Sequence, residues 1–318
     1  MQAKRVAVIG ASGFIGSHLT ELLVKEGAEV LAVARSLRRL ARLSEIADCR
    51  VCSADIQDRE AIGAALHRFR PETVFHLASN TDAAESFQQM AGSLEANAIG
   101  TTNLLEAAAR AGAGLFVYGD SCKVYGNGPV PYRCEQADAP VCSYAVGKAA
   151  GWRLCLVAGA FTGMNVCGLR PTFAYGPRQS RNLISYVEEC VRRGDPVRLM
   201  GGAQTRDPIY VEDLARAFVC AATQPGARGC VVPVGGGEEI GVAVLSRRIV
   251  RMLGSDVEVV ADAEAPRPTE TWRSWCDNSD ARALLGWAPA VSLEQGLRRT
   301  LGAAARFRER LSEVGESV

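Results

Sequence analysis

Val6-Ala-Val-Ile-Gly10-Ala-Ser-Gly13-Phe-Ile-Gly16 decides the fold. Its β-branched opening, residues 6–9, reads as a short buried strand, and the amphipathic segment 15–25 beyond the glycines reads as a helix. Glycine lets the backbone turn tightly and approach a pyrophosphate, whose charge the helix N-terminus then stabilises. A glycine-rich turn alone is a weak signal. A strand before it and a helix behind it give it meaning. The stretch therefore predicts the first βα unit of a dinucleotide-binding sheet, with Gly10, Gly13 and Gly16 at the cofactor.

The alternation continues outward. Further strands are expected over 30–33, 50–54, 73–77, 115–118 and 165–169, with helices over 59–69, 94–111 and 144–161. Strand and helix in turn are the pattern of an α/β fold, a doubly wound parallel sheet covered on both faces. Beyond Pro177 the pattern becomes mixed, broken by Gly201-Gly202, Gly235-Gly236-Gly237 and the prolines 266 and 268. We expect a dinucleotide-binding domain over 1–175, rejoined by a segment around 206–235, and a smaller substrate-binding lobe formed mainly by 176–318.

The end of the second strand bears on the cofactor. An acid there would bind a ribose 2′-hydroxyl, whereas arginine suits a 2′-phosphate. The chain reads Val33-Ala34-Arg35-Ser36, with Arg38 and Arg39 behind, and Ala34 stands where the acid is expected. Arg35 and Ser36 thus favour NADP over NAD. The competing reading makes Arg38 and Arg39 the solvated start of a helix.

Composition excludes more than it selects. The chain has 318 residues and a formal charge of +1, which argues for neither a nucleic-acid nor a membrane partner. The apolar run 6–9 is too short for a secretory signal and enters a glycine turn, so a cytoplasmic protein is expected. Eleven cysteines include a single C-x-x-C, Cys49 and Cys52, and the three histidines, His18, His67 and His76, lack ligand spacing. No metal site is expected, and the cysteines read as small buried apolar residues.

Tyr144-Ala-Val-Gly-Lys148 carries the chemistry. On a helix this spacing stacks phenol and ammonium on one face. A nearby cation favours phenolate, so a tyrosine with an ordinary pKa of about 10 becomes a usable acid/base. Ser121 precedes the pair.

With Asp55-Ile56, His76-Leu-Ala-Ser79, Arg170-Pro-Thr-Phe-Ala-Tyr-Gly-Pro177, Gln204-Thr-Arg206-Asp207 through Asp213, Arg267-Pro-Thr-Glu270 and Ala283-Leu-Leu-Gly-Trp287 in order, the chain resembles the extended short-chain dehydrogenase/reductases. More narrowly, it resembles their nucleotide-sugar epimerase/dehydratase family over nearly its whole length. The resemblance implies a Rossmann domain and a lobe that binds a nucleoside-diphosphate sugar. It places Phe14 and Ile15 at the cofactor with the glycine turn, Asp55 and Ile56 at the adenine, Leu77 and Ala78 along the cofactor, and Lys148 at the nicotinamide ribose. It places Ser79, Ser86 and Phe173 on the substrate side, and Arg206 and Arg267 at the substrate diphosphate, where a guanidinium offers charge and a forked donor. Phe173 stands where many relatives carry an Asn that touches substrate. A homodimer paired through helices 94–111 and 144–161 is also implied.

The resemblance further implies oxidation of a sugar hydroxyl, usually at C4, with Tyr144 taking the proton, Ser121 bonding the same oxygen and Lys148 lowering the tyrosine's pKa. Three outcomes share that step. A C4 epimerase needs nothing more, and a 4-ketoreductase needs only external NADPH. A dehydratase needs a base for the C5 proton and often an acid for the C6 hydroxyl. Relatives that make 4-keto-6-deoxy sugars typically carry Asp-Glu after the serine or threonine, where this chain has Cys122-Lys123. CDP-glucose 4,6-dehydratases carry Lys in the second place, and a hexosamine 5,6-dehydratase carries Cys in the first. Cys122 as acid and Lys123 as base therefore favour dehydration (4,6- or 5,6-) over epimerisation and ketoreduction. A cofactor-binding sensor without turnover is the remote alternative.

Overall fold

The computed structural model describes residues 4–81, 85–179, 182–262 and 269–303. Seven strands form one parallel sheet: β1 (Arg5–Ile9), β2 (Glu29–Ala34), β3 (Cys49–Ser53), β4 (Thr73–His76), β5 (Leu115–Gly119), β6 (Asn165–Pro171) and β7 (Val231–Val234). Their spatial order is β7-β6-β5-β4-β1-β2-β3. The order reverses between β1 and β4, where Ile9 pairs with His76. At such a switch point the strand ends diverge and leave a crevice for a ligand.

The central strands are apolar on both faces because helices cover both. Val6, Ala7, Val8, Val74, Phe75, Phe116 and Val117 have no exposed surface. On one side lie α1 (Phe14–Lys25) and, later in the chain, Val211–Thr223. On the other lie α2 (Arg59–Phe69), α4 (Gly100–Arg110) and α5 (Ser143–Thr162), with α3 (Phe87–Leu94) packed outside them against α5. Asp58 caps α2 by accepting the Ala61 N–H at 2.9 Å.

All six strands expected from the sequence are present within two residues of their expected ends. The helix expected over 94–111 is different. It begins at Phe87, because the Ser86 hydroxyl caps it by accepting the Gln89 N–H at 3.0 Å. It is then interrupted by a wider π turn, Glu95–Ile99, between α3 and α4.

A smaller lobe follows β6. It contains α6 (Leu183–Arg193), α7 (the Val211–Thr223 helix already noted, which returns to the large sheet) and α8 (Val242–Met252). A further helix runs over 293–303. The core of the lobe gathers Ile184, Val187, Leu199, Leu245, Ile249 and Leu297. Short strand pairs join the lobes, Phe173–Tyr175 with Pro208–Tyr210 and Thr205–Arg206 with Ile240–Gly241. No helix among the described residues is long and apolar enough to cross a membrane.

Candidate active site

The glycine turn closes as the sequence implies. The amides of Gly10 and Ala11 both donate to the Val33 carbonyl, at 2.9 and 3.1 Å, and Gly13 N–H donates to Gly10 O at 2.9 Å. Gly10 has φ +87°, and a Cβ on it would lie 2.6 Å from the Ala78 amide nitrogen. The end of β1 and the Leu77-Ala78 segment after β4 can touch only because that Cβ is missing. A Cβ on Gly16 would fall 2.2 Å from Gly10 O, so the first turn of α1 lies directly on the loop. Phe14 and Ile15 open α1, whose N-cap, Gly13, offers no side-chain hydrogen bond to the first amides. Those amides are left for an anion.

A cleft over this helix start is lined by Ser12, Gly13, Phe14, Ser17, Arg39 and Arg42. Arg35 is exposed, and its carbonyl accepts the Ser53 hydroxyl at 3.1 Å. Ser36 precedes a short 3₁₀ turn, Leu37–Leu40, that contains Arg38 and Arg39. Asp55 Oδ1 accepts the Gln57 N–H at 3.0 Å, and Ile56 is buried beside it. An uncapped helix start, a collar of arginines and a loop with no room for side chains fit a dinucleotide.

The reacting groups lie across the switch point, at the ends of β5 and β6. Tyr144 is in the first turn of α5, and the hydroxyls of Ser121 and Ser79 face its phenol and favour its charged form. Lys148, one turn on, is buried. Its Nζ donates to the Gly119 carbonyl at 2.7 Å and lies 4.9 Å over the Tyr118 ring. Burial brings the Lys148 pKa down to about 8, with Asp120 acting in the opposite direction. Burial and then Asp120 push the Tyr144 phenol above its ordinary value. The expectation that Lys148 holds the phenol down is thus corrected: the ammonium is turned to the Gly119 carbonyl, and desolvation dominates at Tyr144.

Cys122 is also corrected. It packs in a small cluster with Tyr125, Tyr132 and Cys276, and its thiol donates to the Arg170 carbonyl at 2.9 Å. Burial pushes that thiol well above its ordinary pKa, so the geometry gives it a packing place and not the acid role. Lys123 behaves differently. It is exposed, its amide donates to Ser121 Oγ at 3.2 Å, and its ammonium lies 5.9 Å from the centroid of the Tyr144 ring.

On the substrate side the expected residues are dispersed. Ser79 is at Tyr144, whereas Ser86 is exposed and spends its hydroxyl on the α3 cap. Phe173 is half-buried against the small-lobe core. Arg206 is tied to Glu270 at 2.6 Å and to the carbonyls of Thr205 and Thr271 at 2.7 and 2.9 Å. Arg267 lies outside the described residues.

Two groups near Tyr144 had no role in the sequence reading. Asn97, in the π turn, is buried and accepts from Ser79 Oγ at 2.8 Å and Asn80 N–H at 3.0 Å, fixing the loop that carries Ser79. An asparagine in the middle of a helical run was its only signal. The second is Asp120, which precedes Ser121 and meets Arg170 Nε at 2.7 Å in full burial.

A doubly wound sheet whose switch point holds a pyrophosphate-ready turn on one side and a Ser–Tyr–Lys set on the other is that of an extended short-chain dehydrogenase/reductase. Comparison with known proteins narrows the class. Residues 6–235 match a sequence model of the "NAD dependent epimerase/dehydratase family". The chain is 31% identical to a UDP-glucose 4-epimerase of Mycolicibacterium smegmatis, covering 93% of this chain and 97% of that one. It is 30% identical to a dTDP-glucose 4,6-dehydratase of Streptomyces niveus, covering 93% and 91%. Among solved structures it superposes on UDP-glucuronic acid 4-epimerase from Bacillus cereus, in complex with UDP-glucuronic acid and NAD, with a TM-score of 0.88 at 25% identity, covering 95% and 99%. The chain belongs to the NAD dependent epimerase/dehydratase family, and it is an enzyme of that family.

Proposed function

We propose that this enzyme oxidises C4 of a nucleoside-diphosphate sugar transiently and then eliminates water across C5 and C6, with Lys123 taking the C5 proton and handing it to the departing C6 hydroxyl. The observation that carries the reading is the position of Lys123, next to Ser121 with its ammonium 5.9 Å from the Tyr144 ring. The choice of residue adds weight. Only four of the 36 Lys and Arg residues are lysines, and two of those, Lys123 and Lys148, are at this site. A lysine can surrender its proton where an arginine cannot.

The residues divide the work as follows. Tyr144 takes the C4 hydroxyl proton, and Ser121 donates to the same oxygen as it becomes a carbonyl. Lys148, held at the Gly119 carbonyl one turn along α5, would meet the nicotinamide ribose. A nicotinamide dinucleotide, held by Gly10, Gly13 and Gly16 at the start of α1, would supply the hydride acceptor. The uncapped start of α1 receives the pyrophosphate, and Asp55 and Ile56 flank the adenine. Arg206, with Arg267, meets the substrate diphosphate, and Phe173 bounds the sugar pocket. Arg35 and Arg39, with Ala34 in the place of an acid, support NADP over NAD, although the solved relative holds NAD.

Epimerisation at C4 is the second reading. It is favoured by Cys122, whose commitment to the Arg170 carbonyl leaves Lys123 alone to serve both the C5 proton and the C6 hydroxyl.

The enzyme also has an apolar surface on α3, the π turn and α5. Phe87, Ile99, Val157 and Phe161 are 89%, 57%, 59% and 77% exposed there, which supports a homodimer.

Incubation with a panel of nucleotide sugars, followed by product mass, tests the reading. Loss of water is expected, with no net change in nicotinamide absorbance, and NADP is expected to be released on denaturation. An isomer of unchanged mass would make the enzyme an epimerase, and stoichiometric use of NADPH would make it a reductase. Lys123→Met is expected to abolish water loss while sparing C4 oxidation. Full dehydration by that variant would remove Lys123 from the mechanism.

A further inference from the structure

Asp120 follows β5 directly, and its N–H donates to the Leu169 carbonyl at 2.8 Å, which fixes it against β6. Its carboxylate has no exposed surface. Oδ2 accepts from Arg170 Nε at 2.7 Å, whereas Oδ1 is buried with no hydrogen-bond partner of normal geometry. Arg170 is held on its other side by Asp138 at 2.8 Å and stacks 4.6 Å over the Tyr125 ring. Asp138 is also met from the solvent side by Arg153 at 3.1 Å.

A carboxylate in such a place is costly. Taking a charge out of water is repaid only by good partners, and one oxygen here has none. A surface site would not need the group, and packing alone would be better served by an apolar residue. What the site does contain is two buried cations, Arg170 and Lys148, at 1% and 2% exposure, and Asp120 is the buried anion that acts on both. Lys148 donates to Gly119 O, the carbonyl immediately before Asp120. From α5, Tyr144 and Cys155 also face the carboxylate, and Tyr118 faces it from β5. His76 approaches Lys148 from β4 but is held neutral by burial and by the ammonium, so it adds no charge.

We propose that Asp120 is a positioning residue for the acid/base step, whose buried carboxylate keeps the Lys148 ammonium charged at the Gly119 carbonyl and thereby sets the pH range in which the Ser121–Tyr144–Lys148 set works. The inference rests on the C4 oxidation proposed above, but not on which product follows it. Its sign is fixed by electrostatics. A negative charge raises the proton affinity of every group near it, so its removal lowers that of Lys148 and of Tyr144 together. Burial has already brought Lys148 down to about 8, and Asp120 opposes a further fall. Neutralising Asp120 therefore moves the whole pH–rate profile toward acid. A merely structural defect would lower the profile without moving it.

The test is Asp120→Asn, which keeps the shape and an acceptor for Arg170 but removes the charge. With only four lysines in the chain, Lys4, Lys25, Lys123 and Lys148, isotope-labelled lysine gives few NMR signals, and Lys148→Met identifies the one that matters. The Lys148 titration midpoint is expected to fall by about one pH unit in Asp120→Asn, and single-turnover hydride transfer is expected to lose its alkaline side by the same shift. An unchanged midpoint, or a rate lowered equally at every pH, overturns the proposal. Should Asp120→Asn not fold, Asp120→Ser takes its place: a Lys148 midpoint lower than in the unsubstituted protein supports the proposal, and an unchanged midpoint overturns it. The titration needs no substrate, so it stays readable even if no nucleotide sugar reacts.

Discussion

The placing of Tyr144 and Lys148 one turn apart on α5 was legible because helical spacing is carried locally by the chain. What those residues experience was not. Whether a cation or burial governs the phenol depends on where the Lys148 ammonium points, and the Gly119 carbonyl that claims it belongs to another element. Cys122 was misread for the same reason, since the partners that withdraw its thiol, Arg170 and Cys276, come from β6 and from a segment late in the chain. Asp120 stood beside Ser121 in plain view, but its meaning lies in Arg170. At this scale, Tyr144→Phe is expected to lower kcat by about 10²–10⁴-fold with the fold intact, measured by hydride transfer and circular dichroism. On the mechanism proposed above, the charged form of Lys148 is the working one. The rate is therefore expected to hold below the midpoint and to fall as pH rises through about 8.

Among elements, the strands were read well because burial on both faces leaves them no alternative to continuous apolar runs. The break between α3 and α4 was invisible, since its π turn serves Asn97, whose hydrogen bonds reach to the Ser79 loop. The β1–α1 turn is the element whose chemistry is strictest. Alanine at Gly10 meets both a left-handed φ of +87° and a backbone nitrogen 2.6 Å from its Cβ. Gly10→Ala is expected to cost about 2–4 kcal/mol of stability, read as a lowered Tm, and to weaken dinucleotide binding in parallel. Gly13→Ala serves as the control. At that position φ is −75° and the nearest atom to a Cβ is 3.1 Å away, so a smaller loss is expected.

At the scale of the molecule, the apolar face on α3 and α5 predicts association. Light scattering is expected to give twice the chain mass, and Phe161→Glu with Phe87→Glu is expected to give monomers that keep the fold; a native protein that already runs as a monomer would refute the pairing. The two-lobed plan also has a consequence for how the chain is made. β7, which completes the sheet beside β6, lies beyond residue 230, after α6 and α7 of the intervening chain. During synthesis, a ribosome that has released the first 175 residues has delivered six strands and left β6 with a bare row of amides and carbonyls. Such an edge invites pairing with other chains. The seven-stranded sheet therefore cannot be completed before the chain beyond residue 230 has been made. A nascent chain here has to wait, with its most aggregation-prone edge open, until Val231–Val234 emerges to cover it.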